Sequence, residues 1–359
     1  MDVMEPKLVW VEGRCYRFFE SDAWSAKDLA SAPYVEDSNP QEFCDLNEDT
    51  CPVDIEITPI EGGRYKHSFY VPNVFFRFLI GPNGANRKKL ESETKTTIKI
   101  PRLGKDGDVV ITSSSRTAVL SARHRIDLLV ESSRKKLRPT HFLGIPMIDK
   151  TIASNYENFK NIVLNDTGKT ARGVQEGVFQ KPEKMHLTLG MLVLVDDQEV
   201  QKAVQALEDC KEQIIKPILE KIKNPIKIKA QGLECMNDDP SDVTVVYGKI
   251  CSDNDLLQEL ADKVVNFFVE KDLMKQEKDK VKLHLTVMNS AFLLDHEATH
   301  YQRKEKFDAT NILKVHTNYY FGELPLNTIQ LCKRGEKAKD GYYIVTSKID
   351  LTNKEEQSN

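Results

Sequence analysis

The sequence predicts an α+β protein built from two folded regions in tandem. Three observations lead there. Residues 61–138 read as strand, helix, Gly-x-x-Gly, helix, two strands and a long helix. Residues 139–350 run from helix to strand twice over. Within that second region a short pattern occurs twice, 98 positions apart: His186-Leu187-Thr188-Leu189 and His284-Leu285-Thr286-Val287.

The totals bound the class. The chain has 359 residues, 40% of them apolar, enough for two or three domains with sizeable cores. No apolar run reaches the length of a membrane helix, about 20 residues. The start, MDVMEPK, lacks the basic and apolar stretches of a secretory signal. The expectation is an intracellular protein with no membrane partner. Its seven cysteines are scattered without a Cys-x-x-Cys pair, so no zinc site, disulfide framework or cofactor is expected.

The formal charge of −4 hides a division. Residues 1–60 hold 14 acidic against four basic side chains. Leu8-Val9-Trp10-Val11 reads as a strand and Glu12-Gly13-Arg14 as a turn. Ser31 to Pro59 lacks periodicity and is expected to be flexible. Either a basic partner surface or plain solubilisation accounts for the acidity. Trp24 is a candidate anchor for a short docking helix.

Residues 61–140 reverse the sign, with 17 basic against seven acidic side chains, which points toward nucleic acid. A basic face for an acidic protein is the alternative. His67–Val71 reads as a strand and Val74–Ile80 as a short apolar helix. Gly81-Pro82-Asn83-Gly84 follows, then a helix from Ala85 to Glu93 carrying Arg87, Lys88 and Lys89. Thr96–Ile100 and Val109–Thr112 are strands, and a long helix runs from Arg116 to Lys136. This order resembles a KH domain of the eukaryotic type, βααββα, with residues 81–84 as its GxxG loop. The resemblance implies a clamp on the backbone of about four single-stranded nucleotides. Glycines let the loop approach phosphates without a Cβ in the way, and the next helix offers free N–H groups. Pro82 and Asn83 stand where the family often carries Lys or Arg, which implies weakened or altered RNA binding. Single-stranded DNA stays open as an alternative ligand.

Arg134-Lys135-Lys136-Leu137-Arg138-Pro139-Thr140 forms the junction, readable as a nuclear import patch or a solvated helix end. Beyond it come a strand at Thr140–Pro146 and a helix over Ile152–Leu164, then the first HLTL strand. A helix over Glu199–Ile222, strands at Ile226–Glu234 and Val243–Cys251, and a helix over Asn254–Glu270 lead to the second. Strands near Thr328–Cys332 and Tyr342–Val345 close the region, and 351–359 is a flexible tail.

The repeated pattern carries chemistry. Alternation in a strand puts Met185, Leu187 and Leu189 on one face and His186 and Thr188 on the other. Leu285 and Val287 oppose His284 and Thr286 in the same way. Two imidazoles across a cleft between two lobes serve as acid and base. Two hydroxyls donate to the oxygens of a phosphoryl group. An ordinary half-exposed strand histidine is the bland alternative for either copy alone; the repeat argues against it. Nothing in the spacing says which His is the acid. Phe142 is a candidate pocket wall, with core packing the competing role. His141 alternates with it, so at most one of the two faces the cleft. Of Tyr342 and Tyr343, one is expected in the cleft and one in the core. Asn237, Asp238 and Asp239 sit on a rim loop or a solvated turn.

With both motifs placed, residues 140–350 resemble a 2H phosphoesterase domain, in the branch shared with the nuclear-localisation domain of a kinase-anchoring protein. His186, Thr188, His284 and Thr286 match the four pocket residues of that family. The resemblance implies a metal-independent phosphodiesterase acting on RNA ends or on cyclic or oligonucleotide phosphodiesters, although some members only bind nucleotides. KMHLTLGMLVLV, GLECMNDDP and KLHLTVMN beside a KH domain further resemble a subunit of a nuclear transcription-coactivator complex. That implies single-stranded RNA as ligand, and a helicase subunit and other members of the cointegrator complex as partners. It also implies a nuclear, and additionally cytoplasmic, location and a role in the response to alkylation damage. The rival class is a non-catalytic RNA- or nucleotide-binding adaptor that regulates the helicase complex. His296-Glu297-Ala298-Thr299-His300 matches a zinc-protease signature but lacks an apolar helix face around it, and is read as a loop.

Overall fold

The computed structural model describes residues 8–11, 14–17, 55–222, 224–252, 255–275, 279–294 and 305–351. Residues 1–56 and 57–359 form separate units. In the first, β1 (Leu8–Val11) pairs antiparallel with β2 (Arg14–Arg17), Leu8 opposite Arg17. The expected first strand therefore has a partner. Trp24, most of the segment read as flexible, the 352–359 tail and the His296–His300 stretch lie outside the described residues.

The second unit opens with β3 (Thr58–Ile60), which pairs with β4 (Arg64–Tyr70). The segment expected to be flexible as far as Pro59 thus ends in a strand. Then come α1 (Phe76–Ile80), α2 (Ala85–Thr94), β5 (Thr97–Lys99), β6 (Asp108–Ser113) and α3 (Arg116–Arg134). From β4 onward this is the KH-like order βααββα, on a sheet ordered β3-β4-β6-β5. Ser115 caps α3, its hydroxyl accepting from the Ala118 N–H. The helices bury Phe76, Leu79, Val119, Ala122 and Ile126 against Phe69, Ile98, Val109 and Ile111. Burying each large side chain there contributes about 1.5–3 kcal/mol.

The second domain contains β7 (His141–Pro146), α4 (Lys150–Ile162), β8 (His186–Leu192), α5 (Asp197–Cys210) and α6 (Lys216–Leu219). It continues with β9 (Lys227–Cys235), β10 (Val245–Cys251), α7 (Leu256–Glu270), β11 (His284–Asn289) and α8 (Thr310–Val315). It ends with β12 (Tyr320–Pro325), β13 (Thr328–Lys337) and β14 (Tyr343–Asp350). One antiparallel eight-stranded sheet results, ordered β12-β9-β10-β11-β8-β7-β13-β14. Its two four-stranded halves meet at β11 and β8, where the register pair is Leu285 with Leu187. The two expected lobes are therefore halves of one sheet, and the twin motifs lie side by side at the seam. α4 packs on β12, α5 on β14 and α7 on β8, all within one continuous core.

Two local features depart from the sequence reading. The long helix expected over Glu199–Ile222 is present from Asp197 to Leu219 but widens to a π-helical segment at Lys211–Ile215. Pro217, with no N–H to give the ladder, follows directly. The strand β12 carries Gly322 and Pro325, residues that mask a strand pattern and that an edge strand tolerates.

The domains are tied together at α5. Asp196 caps that helix, accepting from the Glu199 N–H at 2.9 Å, and Glu199 accepts from the Val195 N–H at 3.0 Å. Glu199 also pairs with Arg134 at the end of α3, which donates to the Val193 carbonyl at 3.1 Å. Val195 packs on the core of the KH-like domain.

Candidate active site

Strand alternation builds the site as expected. Met185, Leu187 and Leu189 are buried in the core, as are Leu285 and Val287. His186, Thr188, His284 and Thr286 are half-buried and line an open cleft of about 800 Å³. Counting from the Leu187–Leu285 pair, the antiparallel register sets Thr188 opposite His284 and Thr286 opposite His186. Opposed residues share a face, so each imidazole stands beside the other motif's hydroxyl.

Both histidines are held alike. His186 Nδ1 lies 2.7 Å from the Lys184 carbonyl, and His284 Nδ1 lies 2.7 Å from the Lys282 carbonyl. A carbonyl only accepts, so each Nδ1 carries the hydrogen and donates. The neutral ring then presents the lone pair of Nε2, the proton-accepting end. Burial pushes both pKa values below 6.5; the charge of His284 and of Lys184 lowers His186 further, and Lys282 does the same for His284.

Aromatic rings wall the histidines. Phe142 packs on His186 at 4.8 Å and Tyr343 meets it near-perpendicular at 5.2 Å. Phe142 is 2% exposed, lies in a core cluster with Cys332 and Tyr342, and is not among the cleft-lining residues, so it backs His186 from the core. Tyr343 lines the cleft while Tyr342 is in that core. His141 is buried and is not among the cleft residues. Asn237 and Asp239 act within the β9–β10 turn, accepting from Thr244 and Ser241.

The rest of the cleft is cationic. Arg134, Lys135, Lys275, Lys280, Lys282 and Arg334 line it, with Asp272 the one carboxylate among its described residues. Arg134 and Lys135 come from the domain junction. Met191, Met236 and Phe292 are exposed apolar side chains on the same walls, a surface on which bases can lie.

The GxxG loop is a separate cluster. Gly81 and Gly84 have φ of 69° and 77°, and Asn83 has 50°. A Cβ on Gly81 would lie 2.6 Å from Asn86 Cγ and 2.9 Å from its backbone nitrogen. Asn86 in turn donates to the Phe78 carbonyl at 2.8 Å. Pro82, Asn83, Lys88 and Lys89 are exposed. Arg87 and Lys89, however, lean on Glu91 and Glu93 at 3.9 and 3.8 Å, so their charge is partly spent within α2.

Sequence reasoning missed the cleft cations, Tyr247 and the two lysines at 184 and 282. The lysines had a signal: the repeat is Lys-x-His-Leu-Thr, two residues longer than His-Leu-Thr alone. Among the described residues no group of three or more His, Cys, Asp or Glu is placed to hold a metal ion. No described helix is long and apolar enough to cross a membrane.

Comparison with known proteins agrees with this architecture. The family described as AKAP7 2'5' RNA ligase-like domain matches residues 139–351, and the KH domain family matches residues 66–128. Activating signal cointegrator 1 complex subunit 1 of Mus musculus is 35% identical over 98% of this chain and 100% of its own length. A-kinase anchor protein 7 isoform gamma of Homo sapiens is 26% identical over 62% of this chain and 60% of its own. The first KH type I domain of human Vigilin is 24% identical over 26% of this chain and 96% of that domain, with a TM-score of 0.21. With more than half of its length matched by one family, and a relative aligned along almost all of it, this chain belongs to the AKAP7 2'5' RNA ligase-like family and joins that domain to a KH domain.

Proposed function

We propose that the chain is an RNA-binding subunit of a nuclear coactivator complex whose second domain is a phosphodiesterase acting on RNA ends or oligonucleotide phosphodiesters. The carrying observation is the pair of matched Nδ1–H bonds, which leave Nε2 of each ring free to exchange a proton, on two histidines that line one cleft with two threonines. One neutral imidazole takes the proton of the attacking water or hydroxyl. The other, protonated, gives its proton to the leaving oxygen as the P–O bond breaks. Thr188 and Thr286 donate to the non-bridging oxygens, where charge builds up. Lys135, Lys275 and Lys280 hold the neighbouring phosphates, and the KH domain holds the strand. The likeness to the mouse complex subunit supports complex membership, and a nuclear location is proposed with it. A helicase neighbour and a role in handling alkylation damage are proposed from the sequence resemblance alone.

The lowered pKa of both histidines favours a second reading, a nucleotide- or RNA-holding adaptor, because burial favours the neutral form of each ring. A bound phosphate restores one proton by its own charge, which is why catalysis is the first choice. The test incubates short single-stranded RNAs with 3'-hydroxyl, 3'-phosphate or 2',3'-cyclic phosphate ends in excess EDTA, with products resolved by mass. Product from wild type, and none from the His186→Gln, His284→Gln double variant, is the expected result. Binding without product selects the adaptor.

A further inference from the structure

The acid–base scheme leaves two lysine–tyrosine pairs without a role. Lys184 Nζ sits 5.0 Å from the centre of the Tyr343 ring, and Lys282 Nζ sits 4.8 Å from that of Tyr247. Each tyrosine meets a histidine crosswise: Tyr343 meets His186 at 5.2 Å and 82°, Tyr247 meets His284 at 5.4 Å and 70°. The lysines are the same two whose carbonyls hold the Nδ1 hydrogens. The tyrosines come from unequal places. Tyr247 is on β10, next to β11, whereas Tyr343 opens β14, three strands from β8. Two different routes through the sheet thus arrive at one Lys–Tyr–His arrangement.

An imidazole tethered only through Nδ1 can still rock about that bond. A ring set crosswise against it fixes the plane, and an ammonium over the face of that ring fixes the ring. We propose that Lys184 with Tyr343, and Lys282 with Tyr247, are the positioning pairs of the two histidines. Each pair holds its imidazole plane so that Nε2 meets the phosphoryl group of the substrate. The lysine charges also oppose protonation until an anion arrives. The other groups facing His186 are Phe142, Thr286 and His284. Those facing His284 are Thr188, His186 and Lys249, the last opposite it in register. Glu234 accepts from the Tyr247 hydroxyl at 2.6 Å and pairs with Lys249 at 3.3 Å, so it holds the far end of the Tyr247 ring while Lys282 stands over its face. This inference rests on the phosphodiesterase reading for its rate effects, but not for its structural readout.

The test uses the full chain and an RNA ending in a 2',3'-cyclic phosphate. Lys184→Met and Lys282→Met each lower kcat about 10- to 100-fold, the cost of a misaimed group, with KM within about twofold. Arg at either position restores most of the rate, since a guanidinium also sits over an aromatic face. Tyr343→Phe and Tyr247→Phe keep the ring and most of the rate; the Leu variants lose it. Nitrogen-15 NMR of the imidazoles shows the Nδ1–H tautomer in wild type and a mixture in the Leu variants. Met variants with wild-type kcat, or Leu variants matching Phe in both rate and tautomer, overturn the proposal. Wild type without turnover refutes the phosphodiesterase reading, and the tautomer measurement then decides this one by itself.

Discussion

Leu187 and Leu285 face each other across the seam that joins the two halves of the eight-stranded sheet, and both are fully buried. This one pair sets the register that brings each histidine beside the opposite threonine. Leu187→Ala or Leu285→Ala is expected to destabilise the protein by about 2–5 kcal/mol, the usual span for such truncations. Leu285→Met, which keeps the volume, should cost less than about 1.5 kcal/mol. Urea unfolding of the three variants checks both figures. Equal costs for Ala and Met would mean that the seam is loosely packed.

The four polar residues should act as one unit. His186→Gln and His284→Gln are each expected to lower the rate about 10²- to 10⁴-fold. The double variant should fall little further, because either loss already disables the relay. Thr188→Val and Thr286→Val should cost about 100-fold each through the lost hydrogen bond to developing charge. Initial rates on the preferred RNA end decide the matter. Histidine losses that multiply would show two independent groups.

Burial lowers both histidine pKa values below 6.5, and that fixes the pH dependence. Catalysis needs one neutral and one protonated ring, so kcat/KM should peak on the acid side of 6.5. The bound phosphodiester favours the protonated form, so the kcat profile should peak at higher pH than that of kcat/KM. The two peaks belong to the pair of rings and not to either alone. Coincident profiles would show that the substrate charge does not reach the imidazoles.

The same shifts make the fold acid-sensitive. His141, His186, His284 and His316 all have folded pKa values below the ordinary 6.5, with burial the first cause. The unfolded chain then binds more protons, and stability rises with pH through this range. It is fully present above 6.5 and is lost as pH falls from there toward the folded values. Replacing His186 and His284 by Gln should flatten the slope, with His141 and His316 left to supply the remainder. Melting curves between about pH 5.5 and 7.5, about one unit on either side of 6.5, test this.

Much of this site was legible in the sequence because alternation in a strand is a strict rule. Once His186 and Leu187 were placed on a strand, their opposite faces followed, and the structure agrees. What strands could not announce was their neighbours. That β8 and β11 adjoin depends on the order of eight strands, and Tyr343 reaches His186 only because β14 ends up three places away. The cleft cations were hidden for the same reason, since they come from the junction, the α7–β11 connection and β13. Arg87 and Lys89 show the converse case. Their charge was visible, but their i,i+4 partners Glu91 and Glu93 were overlooked, although that spacing could have been read directly.

Where the phosphates of an RNA strand rest can be decided by salt. Lys135 and Lys280 line the cleft and form no ion pair with any described residue, whereas Arg87 is engaged by Glu91. For single strands, each phosphate neutralised contributes about −0.7 to the slope of log affinity against log salt. Lys135→Gln and Lys280→Gln should therefore each make the slope shallower by about 0.7. Arg87→Gln should change it less, because the freed Glu91 was already offsetting some of that charge. Gly81→Ala provides the matching control on the loop. Its new methyl meets the Asn86 backbone, while at Gly84 the space is open. Gly81→Ala should thus weaken binding more than Gly84→Ala, whose cost is mainly the positive φ, about 1–2 kcal/mol. If the loop variants abolish binding and the cleft variants leave the slope untouched, the strand is held by the KH domain and only its end enters the cleft. If the slope falls with the cleft lysines, the phosphates run through the cleft itself.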